Sequence, residues 1–126
     1  MRIYRLKGFA RFQRKERIAD AALVKAVRDA SAGLVDADLG GGIIKQRVAR
    51  AGKGKSGGFR TLIAYRRGER AIFLYGFAKS GRANIDDDEL EGWRRVGRGY
   101  LGLDANALAA AMAAGELTEV SYGEAG

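Results

Sequence analysis

The chain has 126 residues, which suits one domain with a single core, and its apolar content of 47% is that of a folded protein rather than a disordered one. It has no cysteine and no histidine, which excludes disulfides, thiolate catalysis, Cys- or His-ligated metal sites, a Ser-His triad and a His-pair ribonuclease mechanism. The net charge of +8 is segregated: residues 1–85 carry 20 Lys/Arg against 6 Asp/Glu, and residues 86–126 carry 3 against 9. That imbalance favours a nucleic-acid or acidic partner over a merely solvated surface.

No apolar run approaches the roughly 18 residues of a membrane span. The start, MRIYRLKGF, lacks the apolar centre of a signal peptide, so a soluble cytoplasmic protein with no membrane partner is expected. Arg2 to Leu6 reads as a short first strand. FARFQRKE, with Phe9 and Phe12 three apart and Arg11, Arg14 and Lys15 elsewhere, reads as a short helix with a basic face. Asp20 is placed to N-cap a second helix, with Leu23, Ala26, Val27 and Ala30 on one stripe and Gly33 as its stop. Two helices after one strand form a hairpin that covers one face of a sheet.

Leu34 to Gly42 reads as a loop ending in Gly40-Gly41-Gly42. With no Walker pattern and no helix after it, this run is a turn rather than a phosphate cradle. Ile43 to Ala49 alternates: Ile44, Gln46 and Val48 share one face, Ile43, Lys45 and Arg47 the other. Arg50 to Gly58 has four glycines and three basic residues, including Lys53 and Lys55 beside Ser56, and reads as a flexible basic loop. Phe59 to Tyr65 and Ala71 to Ala78 form a hairpin about the turn Arg67-Gly68-Glu69. Arg60 shares a face with Leu62 and Ala64, an unusual place for a cation unless it sits at the rim or is held for an anion. Ala71–Ala78, apolar on both faces, belongs in the middle of the sheet. With cations before, on and after it, the hairpin reads as the floor of a polyanion site, RNA first among the candidates.

Asp86-Asp87-Asp88-Glu89 opens a helix and complements its dipole; a magnesium site is the sharper alternative, disfavoured because four adjacent acids cannot all face one ion. Leu90, Trp93, Val96, Tyr100 and Leu101 form its apolar stripe, weakened by Gly92, Gly97 and Gly99. Asp104 caps a last helix that stops at Gly115, and Leu117 to Tyr122 is a final strand or an ordered tail. The expectation is an α+β fold, β-α-α-β-β-β-α-α, with a mainly antiparallel sheet of three to four strands, an N-terminal helical hairpin and C-terminal helices. It is one domain, 1–126, with 103–126 a helix and tail extension.

Lys45-Gln46-Arg47, the basic loop, KSGGFR (55–60), YGFAKS (75–80) and the acidic NIDDDEL (84–90) together resemble the RelE/ParE superfamily of toxins from type II toxin–antitoxin pairs. The nearest likeness is to the RelE-like branch often labelled HigB-type, over roughly Met1 to Leu117. The resemblance implies a RelE-like fold, a toxin held inactive by a cognate antitoxin, and no cofactor or metal. RelE-like members cleave mRNA in the ribosomal 30S A site, in contact with rRNA, by attack of the ribose 2′-OH on the adjacent phosphate. DNA enters only through the antitoxin complex.

Residue by residue, the paired strand lysines of RelE match Lys45 and Arg47, and its arginine after a Ser-Gly-aromatic step matches Arg60. Its basic residues after the last strand match Lys79 and Arg82. Where RelE has a catalytic tyrosine, a gapless register puts Asp86, so Asp86 or Asp87 is the candidate proton acceptor, and Tyr100 is assigned to the core. Arg60, Lys45, Lys79 and Asp86 thus form the candidate catalytic set, with Arg47, Lys53, Lys55, Ser56 and Arg82 as phosphate-binding residues. A lysine acting as base needs a depressed pKa, which crowded cations supply. The alternatives are a ParE-like gyrase inhibitor, which needs no convergent phosphate site, and a non-catalytic RNA-binding module, which calls for exposed stacking aromatics.

Overall fold

The computed structural model describes residues 1–50, 54–79 and 84–121, with the side chains of 54–57 left aside. Its elements are β1 (Arg2–Leu6), α1 (Lys7–Glu16), α2 (Asp20–Ser31), β2 (Ala37–Gly40), β3 (Ile43–Arg50), β4 (Gly54–Arg66), β5 (Arg70–Ala78), α3 (Asp87–Leu101), α4 (Ala105–Ala113) and β6 (Leu117–Glu119). The fold is α+β. One six-stranded sheet runs β2-β3-β4-β5-β1-β6, antiparallel throughout except that β1 lies parallel to β5.

The sheet is covered on both faces, and strand alternation decides which residue goes where. Ile3, Ile44, Val48, Phe59, Ile63 and Phe73 pack under α1 and α2 with Phe9, Leu23 and Val27. Tyr4, Ile43, Leu62, Ala64, Ile72 and Leu74 pack under α3 and α4 with Leu90, Leu101 and Leu108. β5 sits between β4 and β1, inside the sheet, as its two apolar faces require.

The sequence reading of three segments is corrected. Leu34 to Gly42 is not all loop: Ala37 with Lys45 and Asp38 with Ile44 pair to make β2, which ends at Gly40, and Gly41 and Gly42 make the turn, all three glycines having positive φ. The basic stretch before Phe59 is strand from Gly54 onward, because Arg50 pairs with Gly54 across a register shift. Asp20 does not cap α2. It is the helix's first residue, and its Oδ1 accepts hydrogen bonds from Arg5 Nη1 and Gln13 Nε2, each at 2.7 Å, joining β1, α1 and α2. The sheet has six strands rather than three or four: β2 at one edge is new, and β6 at the other takes the strand alternative read for the segment from Leu117; each is short and weakly patterned.

Asp86 and Asp104 do cap α3 and α4, accepting the backbone N–H of Glu89 and Ala107 at 2.8 Å. Gly97 sets how closely α3 approaches: a Cβ there would lie 2.5 Å from Ile43 Cδ1 and 3.2 Å from Ala64 Cβ. The glycine that weakens the helical stripe in the sequence is therefore the one that seats the helix on β3 and β4. Gln46, turned to the α2 side, donates both amide N–H groups to the carbonyls of Ala26 and Leu34 and accepts the backbone N–H of Asp36.

Candidate nucleic-acid interface

The α3-side face of the sheet carries two neighbouring cross-strand rows. Arg47 on β3, Arg60 on β4 and Phe77 on β5 are direct partners, and Lys45, Leu62 and Tyr75 form the next row. Directly paired residues project their side chains to the same side, with Cβ atoms about 5 Å apart. Lys45, Arg47 and Arg60 therefore share one face: alternation paired Lys45 with Arg47 and Arg60 with Leu62 and Ala64, and the register of β3 on β4 brings the two sets together.

Their environments differ. Arg47 is exposed at the rim, where β3 runs past the end of β2, and it also borders a crevice of about 270 Å³ against Lys25 and Asp29 of α2. Lys45 is half-buried. Arg60 is only 8% exposed, and among the described residues no hydrogen-bond partner reaches its buried Nη1. A buried guanidinium nitrogen without a partner costs free energy, and like charges set directly opposite repel. An anion placed against the row offsets the repulsion between the two guanidinium groups.

Tyr75 and Trp93 were not singled out for this site by the sequence. They stack with ring centroids 5.3 Å apart and planes 25° apart, and Tyr75 lies 5.9 Å from Phe77. The cause is a β-bulge: Ile63 pairs with Phe73, but Leu62 pairs with Tyr75, so Leu74 is the extra residue. The bulge leaves Phe73 under α1 and turns Tyr75 and Phe77 to the Arg60 face. The alternation of a regular strand would keep all three on one side. A half-buried aromatic pair beside a basic row suits a nucleobase next to its phosphate.

Lys79 is exposed in the turn that follows β5. Asp86 is exposed and engaged as the α3 cap, with Asp87, Asp88 and Glu89 in the first helical turn. Lys53 and Arg82, and the side chains of Lys55 and Ser56, lie outside the described residues. Among the described residues, no group of three or more acidic side chains is placed to hold a metal ion.

Tyr100 belongs elsewhere. Its hydroxyl donates to Glu116 Oε1 at 2.7 Å, and burial, reinforced by that bond, pushes its pKa up to about 12. It lines a mainly apolar groove of about 740 Å³ between α3 and α4 with Val96, Leu103 and Ala107. Arg60, Arg47 and Lys45 are not among the groove's walls.

Residues 1–120 match the family described as the RelE toxin of the RelE/RelB toxin–antitoxin system. The chain belongs to the RelE toxin family. No curated protein matches it. RelE membership implies a cognate RelB-type antitoxin as partner. Among the described residues, no helix is long and apolar enough to cross a membrane.

Proposed function

We propose that this RelE-family toxin is a metal-independent endoribonuclease that cleaves mRNA on the ribosome, in the manner of the HigB-type branch. The observation that carries the reading is the buried Nη1 of Arg60, opposite Arg47, which no hydrogen-bond partner reaches among the described residues. In the reaction the ribose 2′-OH gives up its proton, and its oxygen bonds to the adjacent phosphorus. The bond to the 5′-oxygen breaks and that oxygen takes a proton, leaving a cyclic phosphate and a 5′-OH. Negative charge grows on the non-bridging oxygens, where preplaced guanidinium groups are most effective. Arg60 holds the scissile phosphate, Arg47 supports it, and Lys45 or Lys79 positions the ribose or moves a proton. Asp86 is the proton acceptor, and Lys53, Lys55, Ser56 and Arg82 add phosphate contacts along the strand.

On this reading the protein works in the cytoplasm, and its antitoxin covers the basic face with acidic helical segments. The Tyr75–Trp93 stack supports a nuclease over a gyrase inhibitor, because a ring pair beside a phosphate row serves a nucleotide. The test is Arg60→Ala expressed without antitoxin. Loss of growth arrest at wild-type protein level is expected; arrest equal to wild type removes Arg60 from the mechanism.

A further inference from the structure

The sequence gives α1 a basic face, and the proposed cleavage site does not use it. Lys7, Arg11, Arg14 and Lys15 stand at i, i+4, i+7 and i+8 of the helix. At 3.6 residues per turn they fall within roughly 100° of arc and span about 12 Å of axis. All four are exposed, and Arg17 adds a fifth exposed cation just past the helix. The opposite side of α1 is anchored to the sheet: Phe9 packs on Phe73 at 5.1 Å and Phe12 on Phe59 at 5.5 Å between centroids.

The nearest carboxylates in sequence are engaged by other cations. Glu16 pairs with Arg50 at 3.6 Å and Asp20 with Arg5 at 2.7 Å. Among the described residues, no side chain neutralises the four stripe cations. Like charges at i, i+4 oppose helix formation, so the stripe carries a cost that a polyanion relieves. α3 differs, since its cations share the helix with Asp87, Asp88, Glu89 and Glu91.

We infer that the outer face of α1 docks the sugar–phosphate backbone of folded, double-helical RNA, on the side of the sheet opposite Arg60. The stripe holds no exposed ring on which an unpaired base could stack, which disfavours single strands. An acidic amphipathic helix needs an apolar anchor, and the large hydrophobic residues exposed among the described residues, Met1 and Leu34, lie off α1. The choice of RNA over DNA rests on the cleavage reading; the stripe itself does not. The protein then has two RNA contacts back to back, a reactive strand over β3–β5 and a structural helix over α1.

The test uses the full chain with K7Q, R11Q, R14Q and K15Q together, binding a labelled RNA hairpin and a DNA duplex over a range of KCl concentrations. A plot of log affinity against log salt for the RNA is expected to become shallower by about 3.6, from close to 0.9 for each of the four lost phosphate contacts. An unchanged slope overturns the inference. So does tighter wild-type binding of the DNA than of the RNA, or an unchanged slope accompanied by lost antitoxin affinity. Should the fourfold variant fail to fold, the single variant Arg11→Gln is expected to lower the slope by about 0.9, and no change overturns the inference. Arg60→Ala is run alongside, with mRNA cleavage as its readout. Loss of the α1 slope without any mRNA cleavage by the wild type overturns the cleavage reading and leaves the stripe as a nucleic-acid surface.

Discussion

Arg47 and Arg60 are direct cross-strand partners on β3 and β4, and the second of them buries a guanidinium nitrogen that no described group satisfies. Two cations paired in a sheet weaken it, and a buried unsatisfied donor costs about 1–3 kcal/mol. Arg60→Met should therefore fold at least as stably as wild type, and up to about 1 kcal/mol more stably, while losing activity. Urea denaturation of the two proteins checks the first half. A loss of more than about 1 kcal/mol would mean that Arg60 has a structural partner.

Asp86 has two roles that substitution can separate. Asparagine caps helices as well as aspartate does, whereas alanine costs about 1 kcal/mol. Asp86→Asn should keep the melting temperature of wild type and Asp86→Ala should lower it. If the carboxylate accepts the 2′-OH proton, both lose cleavage. Full cleavage by Asp86→Asn assigns this residue to the cap alone.

Gly97→Ala tests the seating of α3. The added methyl meets Ile43 Cδ1 at 2.5 Å, an overpacked contact expected to destabilise by about 1–3 kcal/mol. Because α3 also carries Trp93, near-ultraviolet circular dichroism should change with the stability. An unaltered denaturation midpoint would show that the helix shifts freely.

Tyr100 predicts a pH effect. Its hydroxyl keeps its proton to about 12 in the folded chain against an ordinary 10, so its contribution to stability is complete below pH 10 and is lost as pH rises from 10 to 12. Stability followed over that window should fall less steeply in Tyr100→Phe than in wild type. Equal slopes would place the effect on another group.

Much of this was legible in the sequence because it depends on local rules. Alternation put Lys45 with Arg47 on one strand face and Arg60 with Leu62 and Ala64 on another, and the acids at Asp86 and Asp104 announced two helix starts. That the two faces coincide came from the β3–β4 register. What was hidden depends on partners far along the chain. Asp20 has the composition of a cap, but Arg5 and Gln13 engage its carboxylate from two other elements. β2 has almost no apolar pattern and exists because β3 offers it an edge. The place of Tyr75 beside Arg60 follows from one inserted residue, Leu74, which ordinary alternation cannot reveal.

The most direct test is to map the 5′ ends of cellular mRNA after induction of the wild-type chain and of Arg60→Ala. RNA cleavage on the ribosome predicts new 5′-OH ends within translated frames, aligned to codons, for wild type only. Intact mRNA together with lost DNA supercoiling would contradict it and indicate a gyrase inhibitor instead.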